Sequence, residues 1–169
     1  MARKLVRLTN FGFDDARAVS DSALVGLNAK LSEIHAATGL AMLDRYEDVL
    51  FARKELANAV RAPLVKHGFV FQEGCERSTS QFVPTLCHSA SVREQVVREA
   101  ALAAVEVRTY FSPLHHFPAF RSYPRRGSLA VTEDISSRSL SLPLANDLSP
   151  ESVDRIVDIC GSAAGTARR

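Results

Sequence analysis

The stretch GLNAKLSEIHAATGL, residues 26–40, decides the fold. Gly26 breaks the chain, and Asn28 is a residue type that caps helices by accepting an exposed backbone N–H. The residues that follow share one face at helical spacing: Leu31, Ile34, Ala37, Thr38 and Ala41. We therefore predict a helix that begins near Ala29. Because free N–H groups and the helix dipole favour negative charge at such an end, the pattern also predicts an anion site at Asn28.

Composition places the chain among soluble globular proteins. It has 169 residues, 46% of them hydrophobic and 24% charged, and a net charge of +2 without a long block of one sign. A nucleic-acid role is therefore weakly supported. No apolar run reaches the roughly 18 residues that span a bilayer, and the N-terminus lacks an apolar signal core. Three cysteines without paired spacing indicate buried free thiols in a reduced, cytoplasmic protein.

The remaining elements are predicted from periodicity and from caps. Helices are expected over residues 1–9, from residue 46 to an end or a kink at Pro63, over 91–104 with Ser91 as cap, from Thr132 to Ser139, and from Ser149 onward. Strands are expected over 81–87 and 105–111. Residues 14–27 are expected to be irregular. The order of these elements predicts an α+β unit from about residue 46.

Two further stretches are TYFSPLHHFPAF (109–120) and LAVTEDISSRSLSLPLANDLSPESVDRIV (129–157). Together with residues 26–40 they resemble the C-terminal half of the DegT/DnrJ/EryC1/StrS sugar aminotransferases, which use pyridoxal phosphate (PLP). The resemblance implies the α/β family of PLP-dependent transferases, with this chain mainly the small C-terminal α+β domain. It divides the chain into a remnant of the large PLP-binding domain (1–45), the small domain (46–161) and a frayed tail (162–169).

The resemblance also implies binding residues. Asn28 matches an asparagine that contacts the PLP phosphate of the partner subunit, and Lys30 lies where a basic residue is common. The alternative for Asn28 is that it only caps its helix. His115 matches a histidine near the mouth of the active site, where it would contact substrate or hold its loop through backbone hydrogen bonds.

The remaining polar motifs are assigned to the scaffold or to no site. Glu133 and Arg138 lie five residues apart on a short helix, so each is expected to anchor a different loop. His115 and His116 are adjacent and would not share a face of a strand, so we expect no metal site, and a His/Cys metal protein has little support.

The four lysines are Lys4, Lys30, Lys54 and Lys66, and none matches the Schiff-base lysine of the family. We therefore expect no catalytic residue and no covalent PLP in this chain alone. The implied function is a partial nucleotide-sugar aminotransferase, which moves an amino group from glutamate or glutamine to a keto-sugar nucleotide and is inactive alone. The expected partner is a second copy or a complementary PLP-binding subunit. The alternatives are one half of a split enzyme and a non-catalytic interaction or dimerisation domain.

Overall fold

A computed structural model describes residues 1–13 and 24–166 of the chain. The chain forms two compact units, Met1–Tyr46 and Glu47–Arg169. The fold is α+β, as predicted. Within the described ranges, no helix combines the length and the apolar character needed to cross a membrane.

The first unit contains two helices, α1 (Ala2–Thr9) and α2 (Glu33–Leu43). Between them, Asn10 and Asn28 form an antiparallel bridge. The predicted helix start at Ala29 with Asn28 as cap is wrong, because the Ala29 N–H donates to the Thr9 carbonyl at 2.9 Å. The helix instead begins after Ser32, whose hydroxyl accepts the His35 N–H.

The second unit is built on a small antiparallel sheet. Strand β1 (Val83–Leu86) pairs with β2 (Ser139–Leu142), in a register that places Val83 opposite Leu142. Single bridges extend both edges, from Val70 to Leu86 and from Arg108 to Ser141. Four helices complete the unit: α3 (Tyr46–Lys66, whose first residue belongs to the first unit), α4 (Ala90–Leu102), α5 (Ala130–Arg138) and α6 (Pro150–Thr166).

One hydrophobic core holds this unit together. Three helices and both strands supply most of its fully buried side chains, among them Ala57, Val60 and Leu64 of α3, Val92 and Val96 of α4, Val83, Leu140 and Leu142 of the strands, and Ala163 of α6. Helical spacing predicts a buried face on α4 and another on α6, and Val96, Ala100, Val153, Ile156 and Cys160 are buried as expected, with Val97 and Val157 half-buried. Two further positions of the predicted α4 face are exposed: Ala101, and Ala104, which lies beyond the end of α4 at Leu102.

Several predicted boundaries are wrong. Helix α3 continues through Pro63 to Lys66, since Leu64 is buried in the core and holds the last turn in place. The strand expected over 105–111 is reduced to one bridge at Arg108. The cap of α4 is Ser89, not Ser91, because the Ser89 hydroxyl accepts the Val92 N–H.

The C-terminal tail predicted over residues 162–169 also differs from the structure. Helix α6 extends to Thr166 because Ala163 and Ala164 are buried, so residues 162–166 are ordered helix and not a frayed end. Residues 167–169 and most of the region predicted to be irregular (14–23) lie outside the described residues.

The three cysteines differ in exposure. Cys87 and Cys160 are buried, and desolvation by burial raises the pKa of Cys87 to about 11 and that of Cys160 to about 12. Cys75, on a 3₁₀ turn (Cys75–Arg77), is half-buried. The expectation of buried free thiols therefore holds for two of the three.

These pKa values predict selective thiol reactivity. At about pH 8, a thiol of pKa about 11 is ionised in about one molecule in a thousand, and the thiolate is the nucleophile. We expect Ellman's reagent to label Cys75 quickly and to reach Cys87 and Cys160 only slowly until the protein is unfolded. The Cys75→Ser variant should lose the fast phase. Fast release of three equivalents from the folded chain would contradict the burial.

Candidate functional site

The loop that carries Asn28 is fixed by a close backbone approach. A Cβ atom on Gly26 would lie 2.2 Å from the Gly12 backbone nitrogen and 2.6 Å from the Phe11 carbonyl carbon, so only glycine fits there. Gly12 itself has a φ of +80°, which also favours glycine. The Leu27 N–H donates to the Leu8 carbonyl at 2.8 Å, and the Leu27 carbonyl accepts the Phe11 N–H at 3.0 Å. These contacts hold residues 26–29 against the end of α1.

This anchoring leaves the Asn28 side chain exposed. Among residues 1–13 and 24–166, nothing hydrogen-bonds its carboxamide. Lys30 is also exposed, and its Nζ lies 4.9 Å from the centre of the Phe11 ring, in a cation–π contact. The loop therefore presents an amide and an ammonium group as donors. The predicted helix N–H groups are not part of it, since α2 begins only at Glu33.

A second polar site joins a turn to α5. His115 and His116 lie on a 3₁₀ turn (Leu114–His116), and Glu133 lies in the first turn of α5. The His115 Nε2 is 2.5 Å from the Glu133 Oε1, and the His116 Nε2 is 3.1 Å from the same oxygen. His115 is thus held by a side-chain hydrogen bond in addition to a backbone one, in which its carbonyl accepts from the Arg125 guanidinium at 3.4 Å.

The convergence of the two histidines was missed. It was excluded on the assumption of a strand, but successive residues of a 3₁₀ turn are about 120° apart, which lets both rings reach one carboxylate. Their ring centres lie 4.5 Å apart at an interplanar angle of 72°. The prolines on either side, Pro113 and Pro118, are the sequence signal that could have excluded a strand here.

Hydrogen bonds lower the pKa values of two carboxyl groups on α5. The hydrogen bond from His115, with a smaller one from His116, holds the pKa of Glu133 below its usual value. Arg138 bonds Asp134 at 2.5 Å and donates to the Cys87 carbonyl at 3.0 Å, and its hydrogen bond lowers the pKa of Asp134. Glu133 and Arg138 therefore fasten two different segments to α5, as predicted.

Comparison with known proteins supplies the context of these sites. The model of the DegT/DnrJ/EryC1/StrS aminotransferase family matches residues 1–160. Protein Rv3402c of Mycobacterium tuberculosis is 32% identical over 155 residues, which are 89% of this chain and 37% of that protein. A dTDP-4-amino-4,6-dideoxy-D-glucose transaminase of Shigella dysenteriae is 28% identical over 165 residues, which are 93% of this chain and 44% of that protein.

The solved structures agree with this assignment. A DegT DnrJ EryC1 StrS aminotransferase from Brucella abortus superposes with a TM-score of 0.80 at 25% identity, over 97% of this chain and 43% of that one. The chain thus spans less than half the length of the relatives it matches and forms part of the PLP-dependent aminotransferase fold, as the resemblance implied. With its match over residues 1–160, the chain belongs to the DegT/DnrJ/EryC1/StrS aminotransferase family.

Proposed function

We propose that residues 1–169 form the C-terminal part of a PLP-dependent nucleotide-sugar aminotransferase. The reaction would transfer an amino group from glutamate or glutamine to a keto-sugar nucleotide in the cytoplasm. The observation that carries this proposal is the family match over residues 1–160. The name of the Shigella relative, which specifies a dTDP-linked amino sugar, supports the choice of substrate class.

The residues present fit one part of the cofactor. The Asn28 carboxamide is exposed, lacks a bonding partner within the described chain, and is held by the close approach of Gly26 to Gly12. It can therefore donate to a phosphate oxygen without losing another hydrogen bond, and the positive charge of Lys30 favours the same anion. When bound, PLP supplies the electron sink for amino transfer. Asn28 and Lys30 would bind and orient its phosphate across a subunit boundary.

The lysine that carries the cofactor would come from outside residues 1–169. Lys4 lies on α1, Lys30 on the Asn28 loop, and Lys54 and Lys66 on α3. By the family resemblance, none of them matches the Schiff-base lysine. The division into a segment of the large domain (1–45) and the small domain (46–161) belongs to this proposal. His115, largely buried against Glu133, would hold the 113–116 turn in place near the substrate.

We expect residues 1–169 alone to form no stoichiometric covalent adduct with PLP. The test is incubation with PLP, reduction with borohydride and measurement of the intact mass, with a parallel assay of amino transfer from glutamate. A single modified lysine, with amino transfer that is lost when that lysine is replaced by arginine, would contradict the proposal.

A non-catalytic interaction domain is the second candidate, and α2 favours it. None of its residues is buried, and its large apolar side chains are exposed: Ile34, Leu40, Met42 and Leu43. A helix that is apolar on most sides is usually buried, so it is expected to be covered by another chain. This candidate would be favoured if the chain self-associates but shows no PLP-dependent activity, even when it is mixed with a lysine-bearing N-terminal half of the family fold.

A further inference from the structure

We propose that His115, His116 and Glu133 form a binding site for a divalent transition metal, with Zn²⁺ as the best match. Their three ligand atoms lie within 4.8 Å of one another. This proposal replaces the expectation that the two histidines cannot act together. Its test does not depend on amino transfer, because none of its ligands is a proposed PLP contact and the readouts are zinc binding and thermal stability.

The distances suit a small tetrahedral ion. Zn–N and Zn–O bonds of about 2.0–2.2 Å place neighbouring ligand atoms about 3.3 Å apart. The two histidine nitrogens now lie 2.5 and 3.1 Å from the Glu133 Oε1. An ion would replace the shared hydrogen bonds, and side-chain adjustments of about 1 Å would bring the ligands to zinc distances. The backbone of the turn and of α5 would not need to move.

The ligand types and their exposure select the metal and its coordination. Two imidazole nitrogens and one carboxylate suit zinc, cobalt or nickel, whereas Mg²⁺ and Ca²⁺ prefer oxygen ligands. The His115 side chain is 12% exposed, and those of His116 and Glu133 are 51% and 44% exposed. One side of the site is thus closed by protein and the other is open, so water would take the fourth position.

The ion would act as a clamp between two segments that are distant in sequence. It would link the 114–116 turn to the start of α5, which the histidine–glutamate bonds already hold together. Because the ion binds only the folded arrangement, it should raise the melting temperature of the chain in proportion to the logarithm of its free concentration.

The test is a titration of the full chain with zinc chloride, followed by calorimetry, in a Cys75→Ser background that removes the half-buried thiol. We expect one equivalent to bind and the melting temperature to rise. His116→Gln keeps a hydrogen-bonding group beside Glu133 but removes a ligand, and should weaken zinc binding at least about tenfold, since even outer-shell changes cost about 10–100-fold. Glu133→Gln should have a similar effect.

His88→Gln is the matched control, because His88 is exposed and lies outside the cluster. It should leave the zinc affinity unchanged. Circular dichroism without metal checks that each variant is folded, and the visible spectrum of the Co²⁺ form reports the coordination geometry. Binding only at millimolar zinc, or equal zinc affinity in the folded His116→Gln variant, would overturn the proposal.

Discussion

Replacement of Leu64 by alanine should lower the free energy of unfolding by about 2–5 kcal/mol. Leu64 is 0% exposed and lies in the core that joins α3, α4, α6 and the sheet. Its truncation removes apolar contacts and leaves a cavity that the surrounding helices can only partly close. Urea denaturation of the full chain measures the loss as a lower midpoint with an unchanged slope.

Leu102 provides the matched control for this substitution. It ends α4 and is 90% exposed, so Leu102→Ala should change the free energy of unfolding by no more than about 0.5 kcal/mol. Equal, small losses for both variants would show that α3 does not pack in the core as described.

The second large effect concerns association through α2. Ile34 is 79% exposed on a helix that buries no side chain, so we expect the chain to self-associate or to bind a complementary subunit through this helix. Burial of an isoleucine contributes about 1.5–3 kcal/mol, so Ile34→Ser should weaken the self-association constant by about 10- to 150-fold. Size-exclusion chromatography with light scattering over a concentration series measures it.

Val131→Ser is the control for a change in surface hydrophobicity alone. Val131 is exposed on α5, in the second unit, and its replacement should leave association unchanged. A chain that stays monomeric at high concentration, or an Ile34→Ser variant that associates as strongly as the parent, would contradict the role of α2.

The sequence predicted those features that depend on local pattern. The Ser149-Pro150 start of α6 and the buried positions Val153, Ile156 and Cys160 follow from capping and from helical spacing, and both are confirmed. Strand β1 lies within the predicted 81–87. Each of these features is decided by residues within a few positions of one another.

The features that were wrong depend on contacts between distant residues. Asn28 is a residue type that caps helices, but the backbone around it is hydrogen-bonded to Thr9 and paired with Asn10, about 18 residues earlier. This backbone pairing keeps residues 28–31 out of the helix. The segment after Val105 alternates like a strand, yet its backbone pairing with β2 is the single bridge from Arg108 to Ser141. Local periodicity carries no information on whether an edge partner is present.

The candidate sites show the same limit. The exposed position of Asn28 depends on the approach of Gly26 to Gly12, which no local pattern reveals. Similarly, the pairing of His115 and His116 with Glu133 joins residues 17 and 18 positions apart. The resemblance identified Asn28 and His115 as residues of interest, whereas His116 required the geometry of the turn.

The proposed role is tested most directly by an assay of amino transfer from glutamate to a keto-sugar nucleotide. The assay is run with residues 1–169 alone and again after mixing with a lysine-bearing N-terminal half of the family fold. We predict no product from residues 1–169 alone and product from the mixture. In the mixture, Asn28→Ala should raise the PLP concentration needed for half-maximal activity by about 10- to 150-fold, the cost of a hydrogen bond to a charged group. The control Asn58→Ala, at an exposed position of α3, should have no effect. Turnover by residues 1–169 alone, or an active mixture that is indifferent to Asn28→Ala, would contradict the account.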